Sequence, residues 1–238
     1  MRHWYFLRII SLRDALRVKR AISIIRIILE IIPAIIAKNI DEISHKLKMV
    51  EPYCDWVQID VSDGIFTKNT TWNNPAELKN INTKASLEAH LMISDTESHI
   101  AEWIDSGVKR ILVPVDSTSD FQKILQMAEA VKSKGLQFVI ALNPEVLIDE
   151  VKELIPLSDI VLLLAVNPGF SGQKFLPETI KKIRDLRKEF PDVKIEVDGG
   201  INKETAKECV KAGADILVSA SYIFESKDIK RAIEDLND

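Results

Sequence analysis

Two aspartates, a histidine and a glutamine have the side chains best suited to chemistry, and each lies near the end of a short apolar run. Gln58 and Asp60 occur in QIDVSDG, His90 in EAHLM and Asp198 in EVDGG. Gln58 and Asp60 would share one face of a strand, since they are two residues apart. Two carboxylates and an imidazole suit a divalent metal, and they also suit proton transfer at a carbon next to a carbonyl. Taken singly, each aspartate could instead cap a loop, and His90 could be a buried, hydrogen-bonded histidine.

A loop with two glycines, VNPGFSGQKF at Val166–Phe175, follows a uniformly apolar run and precedes a predicted helix. The run, IVLLLA, is typical of a strand buried on both faces of a parallel sheet. Gly169 and Gly172 have no side chain, so the backbone of this loop can come close to a ligand. The loop is expected either to hold a phosphate on backbone N–H groups or to be an ordinary connection.

These residues belong to a repeating pattern of a short apolar run, a polar loop and an amphipathic stretch. Eight such units begin at about Glu30, and no Pro/Gly/Ser-rich linker interrupts them. The pattern predicts one α/β domain at residues 29–238, a (β/α)8 TIM barrel with its functional residues at the carboxyl ends of the strands. A doubly wound open sheet is the alternative, but no glycine-rich dinucleotide motif follows the first run. The predicted strands are 31–37, 56–61, 85–92, 110–115, 138–142, 160–165, 194–197 and 216–219.

Cap residues mark several of the predicted helices. Asn39 and Asn202 are predicted N-caps, and Pro75 is predicted to open a short helix. Ser94 and Glu97 have the spacing of a capping box. Further helices are predicted at 144–155, 177–190 and 228–236.

Composition restricts the class of protein. The chain has 238 residues, of which 46% are hydrophobic and 29% charged, and its net charge of −4 gives no reason to expect nucleic-acid binding. Cys54 and Cys209 lie far apart, which argues against a zinc ribbon or a disulfide framework and favours a reducing, cytoplasmic setting.

Residues 1–28 are predicted to form a separate, basic N-terminal extension. Between Met1 and Arg26, seven basic residues stand against the single acid Asp14. Such a segment is typical of a targeting peptide or a membrane-surface helix, although it is too polar to span a bilayer. We expect a helical extension without a part in the chemistry, and no transmembrane segment.

Five motifs together resemble the ribulose-phosphate 3-epimerase family. They are IDVSDGIF followed by Asn69, AHLM, VNPGFSGQKF, EVDGGIN and AGADILVSASYIF, in the family's order from about Ile32 to the C-terminus. The resemblance implies a TIM barrel of the ribulose-phosphate-binding type. It also implies conversion of D-ribulose 5-phosphate to D-xylulose 5-phosphate, a pentose phosphate pathway step of carbohydrate metabolism. Members are commonly dimers or larger, so a homo-oligomer is expected from the resemblance alone.

The resemblance also implies roles for individual residues. Asp60 and Asp198 would be the catalytic acid/base pair, with an enediolate between the two proton transfers. Together with His90 they would bind a divalent cation, namely zinc, iron, manganese or cobalt, which would stabilise the enediolate. The sugar phosphate would contact His90, Met92, Gly169, Phe170, Ser171, Gly172, Gly199, Gly200, Ala220 and Ser221.

The sequence departs from the family mainly around the metal. Gln58 stands where the family has a further metal-binding histidine, and an amide oxygen is a much poorer ligand than imidazole. Three hypotheses follow: a 3-epimerase with an altered metal site, an epimerase or isomerase of a related ketose phosphate such as a hexulose 6-phosphate, or a catalytically weak sugar-phosphate-binding protein. Other family residues are replaced at Ala34, Ser62, Pro114, Leu164 and Ala220, the last of which stands in place of a glycine.

Overall fold

The computed structural model describes residues 29–170 and 172–238, and within them eight parallel strands close into a barrel. Each strand pairs with its neighbours in sequence, and β1 pairs with β8 to complete the ring. The predicted TIM barrel is therefore confirmed, and the open-sheet alternative is wrong. The predicted extension at 1–28 and Ser171 lie outside the described residues. The strands are β1 (Glu30–Ile35), β2 (Trp56–Ser62), β3 (Ser86–Met92), β4 (Arg110–Pro114), β5 (Gln137–Leu142), β6 (Ile160–Leu164), β7 (Lys194–Asp198) and β8 (Ile216–Ser219).

Helices connect the strands and pack around the outside of the barrel. Among the described residues, no helix has the length and apolar character needed to cross a membrane. The helices are α1 (Ile40–Val50), α2 (Pro75–Leu78), α3 (Thr96–Ile104), α4 (Phe121–Ser133), α5 (Ile148–Val151), α6 (Thr179–Glu189), α7 (Lys203–Ala212), α8 (Ser221–Phe224) and α9 (Ile229–Asn237).

Two predicted caps are present, but the capping box at Ser94 is wrong. The side chains of Asn39 and Asn202 accept backbone N–H groups in the first turns of α1 and α7. The N-cap of α3 is Asp95, which has a left-handed φ of 53° and makes no side-chain cap bond. Ser94 is used elsewhere, because its N–H and Oγ both donate to Asp63 Oδ2 at 2.7 Å.

The predicted helix at 144–155 is also wrong in its extent. Only Ile148–Val151 is α-helical, followed by a 3-10 turn at Ile155–Leu157. The carbonyls of Asn143 and Pro144 accept from the Lys182 amine at 2.8 and 3.3 Å, so they are bound outside any helix.

The interior of the barrel holds an apolar cluster and a group of buried charges. The charges are Glu88 on β3, Arg110 on β4 and Glu196 on β7. The apolar cluster consists of Ile32, Ala34, Leu112, Val139, Ala141, Ile160, Leu162, Leu164, Ile216 and Val218.

Arg110 is the cation of this buried group. Its guanidinium forms an ion pair with Glu88, lies 3.7 Å from Glu196 Oε2, and stacks 4.0 Å from the ring centre of Trp56. Burial raises the pKa of both Glu88 and Glu196, and the charge of Arg110 opposes the rise. Removing the cation would leave two buried carboxyl groups without a counterion.

We expect Arg110→Met to reduce the free energy of unfolding by about 3–5 kcal/mol, because it breaks a buried ion pair from one side. Lys123→Met is the matched control, since Lys123 pairs with Glu97 near the surface and its loss should cost much less. Urea denaturation of the three proteins measures both values. Equal losses in the two variants would contradict the stabilising role of Arg110.

Candidate active site

Three strand ends bring Asp60, His90 and Asp198 together at the carboxyl end of the barrel. Asp60 on β2 is in register with His90 on β3, and Asp198 is the last residue of β7. One ligand atom from each of the three side chains lies within 4.8 Å of the others. The barrel therefore brings these three side chains close together.

Gln58 links the two carboxylates. Its side-chain nitrogen donates to Asp60 Oδ1 at 2.7 Å and to Asp198 Oδ2 at 2.8 Å. The side chain is fully buried, and its Oε1 has no hydrogen-bond partner among the described residues. In this arrangement Gln58 presents its donor, and not its oxygen, to the acidic groups.

His90 lacks hydrogen bonds although it is fully buried. Its Nδ1 lies 3.7 Å from Asp60 Oδ1, and neither ring nitrogen has a hydrogen-bond partner in the described part of the chain. A buried imidazole normally binds a donor, an acceptor or a metal. Two carboxylates beside such an imidazole fit a divalent cation, so the donor set of Asp60, His90 and Asp198 is chemically suited to the predicted metal.

The electrostatic environment of Asp198 favours its protonated form. Its carboxyl group is surrounded by protein atoms, although part of the residue faces the cleft. Burial, and then the negative charge of Asp60, raise the pKa of Asp198 to about 7, while His90 and the hydrogen bond from Gln58 oppose the rise. A carboxyl group in this state can hold or release a proton near neutral pH.

The loop after β6, Val166–Phe175, forms one wall of a cleft above these residues. The Gln173 amide closes the loop by donating to Asn167 O at 2.7 Å and to Phe170 O at 2.9 Å. Gly169 has a φ of 122°, and a Cβ there would lie 3.1 Å from Thr67 in the loop after β2. The β2 and β6 loops therefore meet closely across the mouth of the barrel.

Gly199 and Gly200 let the β6 and β7 loops approach each other. A Cβ on Gly199 would lie 2.6 Å from Val166 Cγ2, and one on Gly200 would lie 2.5 Å from the backbone nitrogen of Phe175. Both glycines have positive φ, 111° and 64°. Glycine is therefore required at both positions, because the loops pack closely there and because φ is positive.

The β2 loop forms the opposite wall and is fixed by polar contacts. Thr71 Oγ1 donates to Asp60 O and accepts the Ser62 N–H, both at 2.8 Å. The Lys38 amine donates to Asn69 Oδ1 at 3.4 Å and to Thr70 O. Asp63 binds the backbone N–H groups at the start of the loop, at 2.8 and 2.9 Å.

Most of the residues singled out in the sequence line one cleft. Gln58 lies beneath Asp60 and Asp198 and is absent from the cleft wall, and Ser171 is outside the described residues. Thr71, Gln173 and Ser219 also line the cleft but were not among the predicted site residues. Ser219 ends β8, so the rule for strand ends was a signal for it, whereas the other two lie within loops. The predicted residues on the wall are Asp60, His90, Met92, Gly169, Phe170, Gly172, Asp198, Gly199, Gly200, Ala220 and Ser221.

Sequence comparison finds a family and relatives that match most of the chain. The profile of the ribulose-phosphate 3 epimerase family matches residues 30–224. A ribulose-phosphate 3-epimerase of Chlamydia trachomatis is 37% identical over 206 residues, which cover 83% of this chain and 87% of the relative. A ribulose-phosphate 3-epimerase of Bacillus subtilis is 32% identical over 216 residues, which cover 87% of this chain and 98% of the relative.

Solved structures with the same fold are more distant in sequence. A 3-hexulose-6-phosphate synthase from Salmonella typhimurium aligns with a TM-score of 0.68 at 18% identity, covering 88% of this chain and 97% of the other. The tryptophan synthase α-subunit of Pyrococcus furiosus aligns with a TM-score of 0.66 at 17% identity, covering 87% and 97%. At this level of identity the two likenesses concern the fold alone.

We expect Gly200→Ala to destabilise the protein by about 3 kcal/mol, because the added methyl group meets the backbone of Phe175 in a left-handed conformation. Gly135→Ala is the control, since Gly135 also has positive φ, 74°, but has nothing within 4 Å of the added atom. That variant should lose only about 1–2 kcal/mol. Urea unfolding of both variants tests whether the close packing, and not φ alone, requires glycine at 200; equal losses would contradict it.

Proposed function

Because the chain belongs to the ribulose-phosphate 3-epimerase family and is an isomerase, we propose that it interconverts D-ribulose 5-phosphate and D-xylulose 5-phosphate in this cleft. The family membership confirms the resemblance indicated by the five sequence motifs. Every group in the proposal belongs to residues 29–238, the predicted barrel domain. The observation that carries it is the meeting of two carboxylates, Asp60 and Asp198, from separate strands of the barrel.

Two carboxylates on different strands suit the inversion of a carbon centre. Asp60 is on β2 and Asp198 on β7, and β8 and β1 separate these strands in the barrel. A substrate lying between them would present a different face to each carboxyl group. One would then remove the proton from carbon 3, and the other would return a proton to the opposite face. Since the reaction is reversible, each group acts as base in one direction and as acid in the other.

The raised pKa of Asp198, about 7, supports this assignment. Near neutral pH such a group is present in both its protonated and its ionised form. A general acid or base works best when its pKa is close to the working pH. Burial next to Asp60 therefore gives Asp198 the property that the proposed proton transfer needs.

Asp60, His90 and Asp198 are the residues that would hold the divalent cation, zinc, iron, manganese or cobalt. When bound, such a cation supplies positive charge next to the oxygen atoms on which negative charge develops. His90 is suited to this role because its buried ring nitrogens are not engaged by other described side chains.

The substrate's phosphate would lie at the other side of the cleft, against the backbone of the β6, β7 and β8 loops. Phosphate sites in TIM barrels commonly lie after the last strands, where backbone N–H groups are available. Ala220 stands in place of the family's glycine, so it adds a methyl group next to the proposed phosphate position but keeps its backbone N–H. Met92 and Phe170 would contact the sugar from the cleft wall. The phosphate contacts proposed here are Gly169, Ser171, Gly172, Gly199, Gly200, Ala220 and Ser221.

The direct test is an assay of the purified protein with ribulose 5-phosphate in D2O, with manganese, iron, cobalt and zinc added in turn. The proposal expects xylulose 5-phosphate to form and deuterium to enter carbon 3. If neither product nor exchange occurs with any of the four metals, the proposed activity is wrong.

We expect Asp198→Asn to lower kcat by about 10³-fold, because an amide cannot transfer the proton. Its free energy of unfolding in a chelating buffer should equal or exceed that of the wild type, since one of two repelling buried carboxyl groups is removed. Glu208→Gln, a change at an exposed acid, is the control for both measurements. A large loss of stability in Asp198→Asn would instead assign the residue a structural role.

A further inference from the structure

The amide of Gln58 lies between the two carboxylates that would bind the cation. We infer that Gln58 is an internal competitor of the cation: its NH2 group bridges Asp60 and Asp198, and a divalent ion must displace that group to bind them. Gln58 would thus lower metal affinity by an active interaction, and not only because it is a poor ligand.

The chemistry of the contacts fixes the orientation of the amide. Gln58 Nε2 lies 2.7 Å from Asp60 Oδ1 and 2.8 Å from Asp198 Oδ2, and an NH2 group has two hydrogens to donate. The reverse orientation would place the amide oxygen against two oxygens of acidic groups. Hydrogen bonds to carboxylates are stronger than those between neutral groups, and the side chain has no solvent contact.

The same hydrogen bonds stabilise the site when it holds no ion. Asp60 and Asp198 lie close enough to share one amide group, so their negative charges repel each other. The two N–H groups offset part of that cost by placing positive ends of dipoles between the carboxyl groups. An ion that binds both groups replaces these two hydrogen bonds, so its net affinity is reduced by their free energy.

A competing amide and a merely poor ligand predict different metal affinities for a variant at position 58. If Gln58 were only a poor ligand, replacing it by a side chain with no ligand atom would leave metal affinity unchanged or lower it. If it is a competitor, the same replacement removes the two donors and raises the affinity. Leucine has neither a donor nor a ligand atom and is close to glutamine in size.

The experiment measures binding of Zn²⁺ and Mn²⁺ to chelator-stripped protein by calorimetry, with wild type, Gln58→Leu, Gln58→His and Gln122→Leu. Gln122 is exposed on α4 and serves as the control. We expect Gln58→Leu to bind metal about tenfold more tightly than wild type, since breaking even one charge-assisted hydrogen bond has this magnitude. Gln58→His should bind more tightly again, because it also adds a ligand, and Gln122→Leu should match wild type. Equal or weaker binding by Gln58→Leu would overturn the inference.

A second measurement needs no variant that must fold. The chain has five glutamines, so nitrogen-15 labelling of glutamine side chains gives few NH2 signals. The NH2 pair of Gln58, assigned by its contacts, should exchange with solvent far more slowly than that of Gln122. It should shift or lose its protection when Zn²⁺ is added. Exchange as fast as that of Gln122, or a pair unaffected by bound Zn²⁺, would contradict the bridge.

The inference rests on the proposed roles of Asp60 and Asp198 as metal ligands, but its test does not use turnover. Metal affinity and amide exchange are measured without substrate. A protein that fails to epimerise ribulose 5-phosphate but shows the tenfold gain would contradict the proposed function and support the competitor. A protein that epimerises ribulose 5-phosphate but shows no gain in metal affinity for Gln58→Leu would support the proposed function and contradict the competitor.

Discussion

The close approach of two carboxylates, Asp60 and Asp198, in a buried cleft is the constraint on which the rest of the site depends. Like charges at this distance destabilise each other, and burial removes the water that would screen them. Burial, and then the charge of Asp60, raise the pKa of Asp198 to about 7. Gln58 and His90 are the neighbours that oppose this rise. The chemistry proposed for the pair therefore depends on a local arrangement that does not stabilise the fold.

A second group of buried charges lies one layer below the site. Gln58 is in register with Glu88, and Glu88 with Arg110, so the amide under the cleft shares a layer with the ion pair. Arg110 offsets the charge of Glu88 and Glu196 at this level. Without that cation, Glu88 and Glu196 would add their charge to that of Asp60 and Asp198 above them. The apolar cluster that contains Ile32 and Val218 supplies the hydrophobic burial that these charged groups do not.

The fold was predictable because each strand is defined by a short local pattern. Eight apolar runs, buried on both faces, identify parallel strands without knowledge of their partners. The site was predictable to the extent that strand ends meet in a closed barrel, which brings Asp60, His90 and Asp198 together from positions far apart in sequence. Ser94 shows the limit of local reasoning. It has the spacing of a capping box, but its hydrogen bonds go to Asp63, whose position depends on the neighbouring strand.

Gln58 shows a different limit, since a residue type alone does not reveal which end of its amide faces Asp60 and Asp198. A comparison of ligand strength treats glutamine as a weak substitute for histidine at the same position. An amide, however, carries a donor and an acceptor on one planar group, and its neighbours decide which of the two faces the site. Beside two carboxyl groups the donor is favoured, so the residue interacts best with the site when no cation is there. An imidazole can offer a lone pair to a cation, whereas this amide must first turn away from both carboxylates. The replacement therefore changes which state of the site is stabilised, and it does so while preserving the barrel, the carboxylate pair and the glycine loops around it.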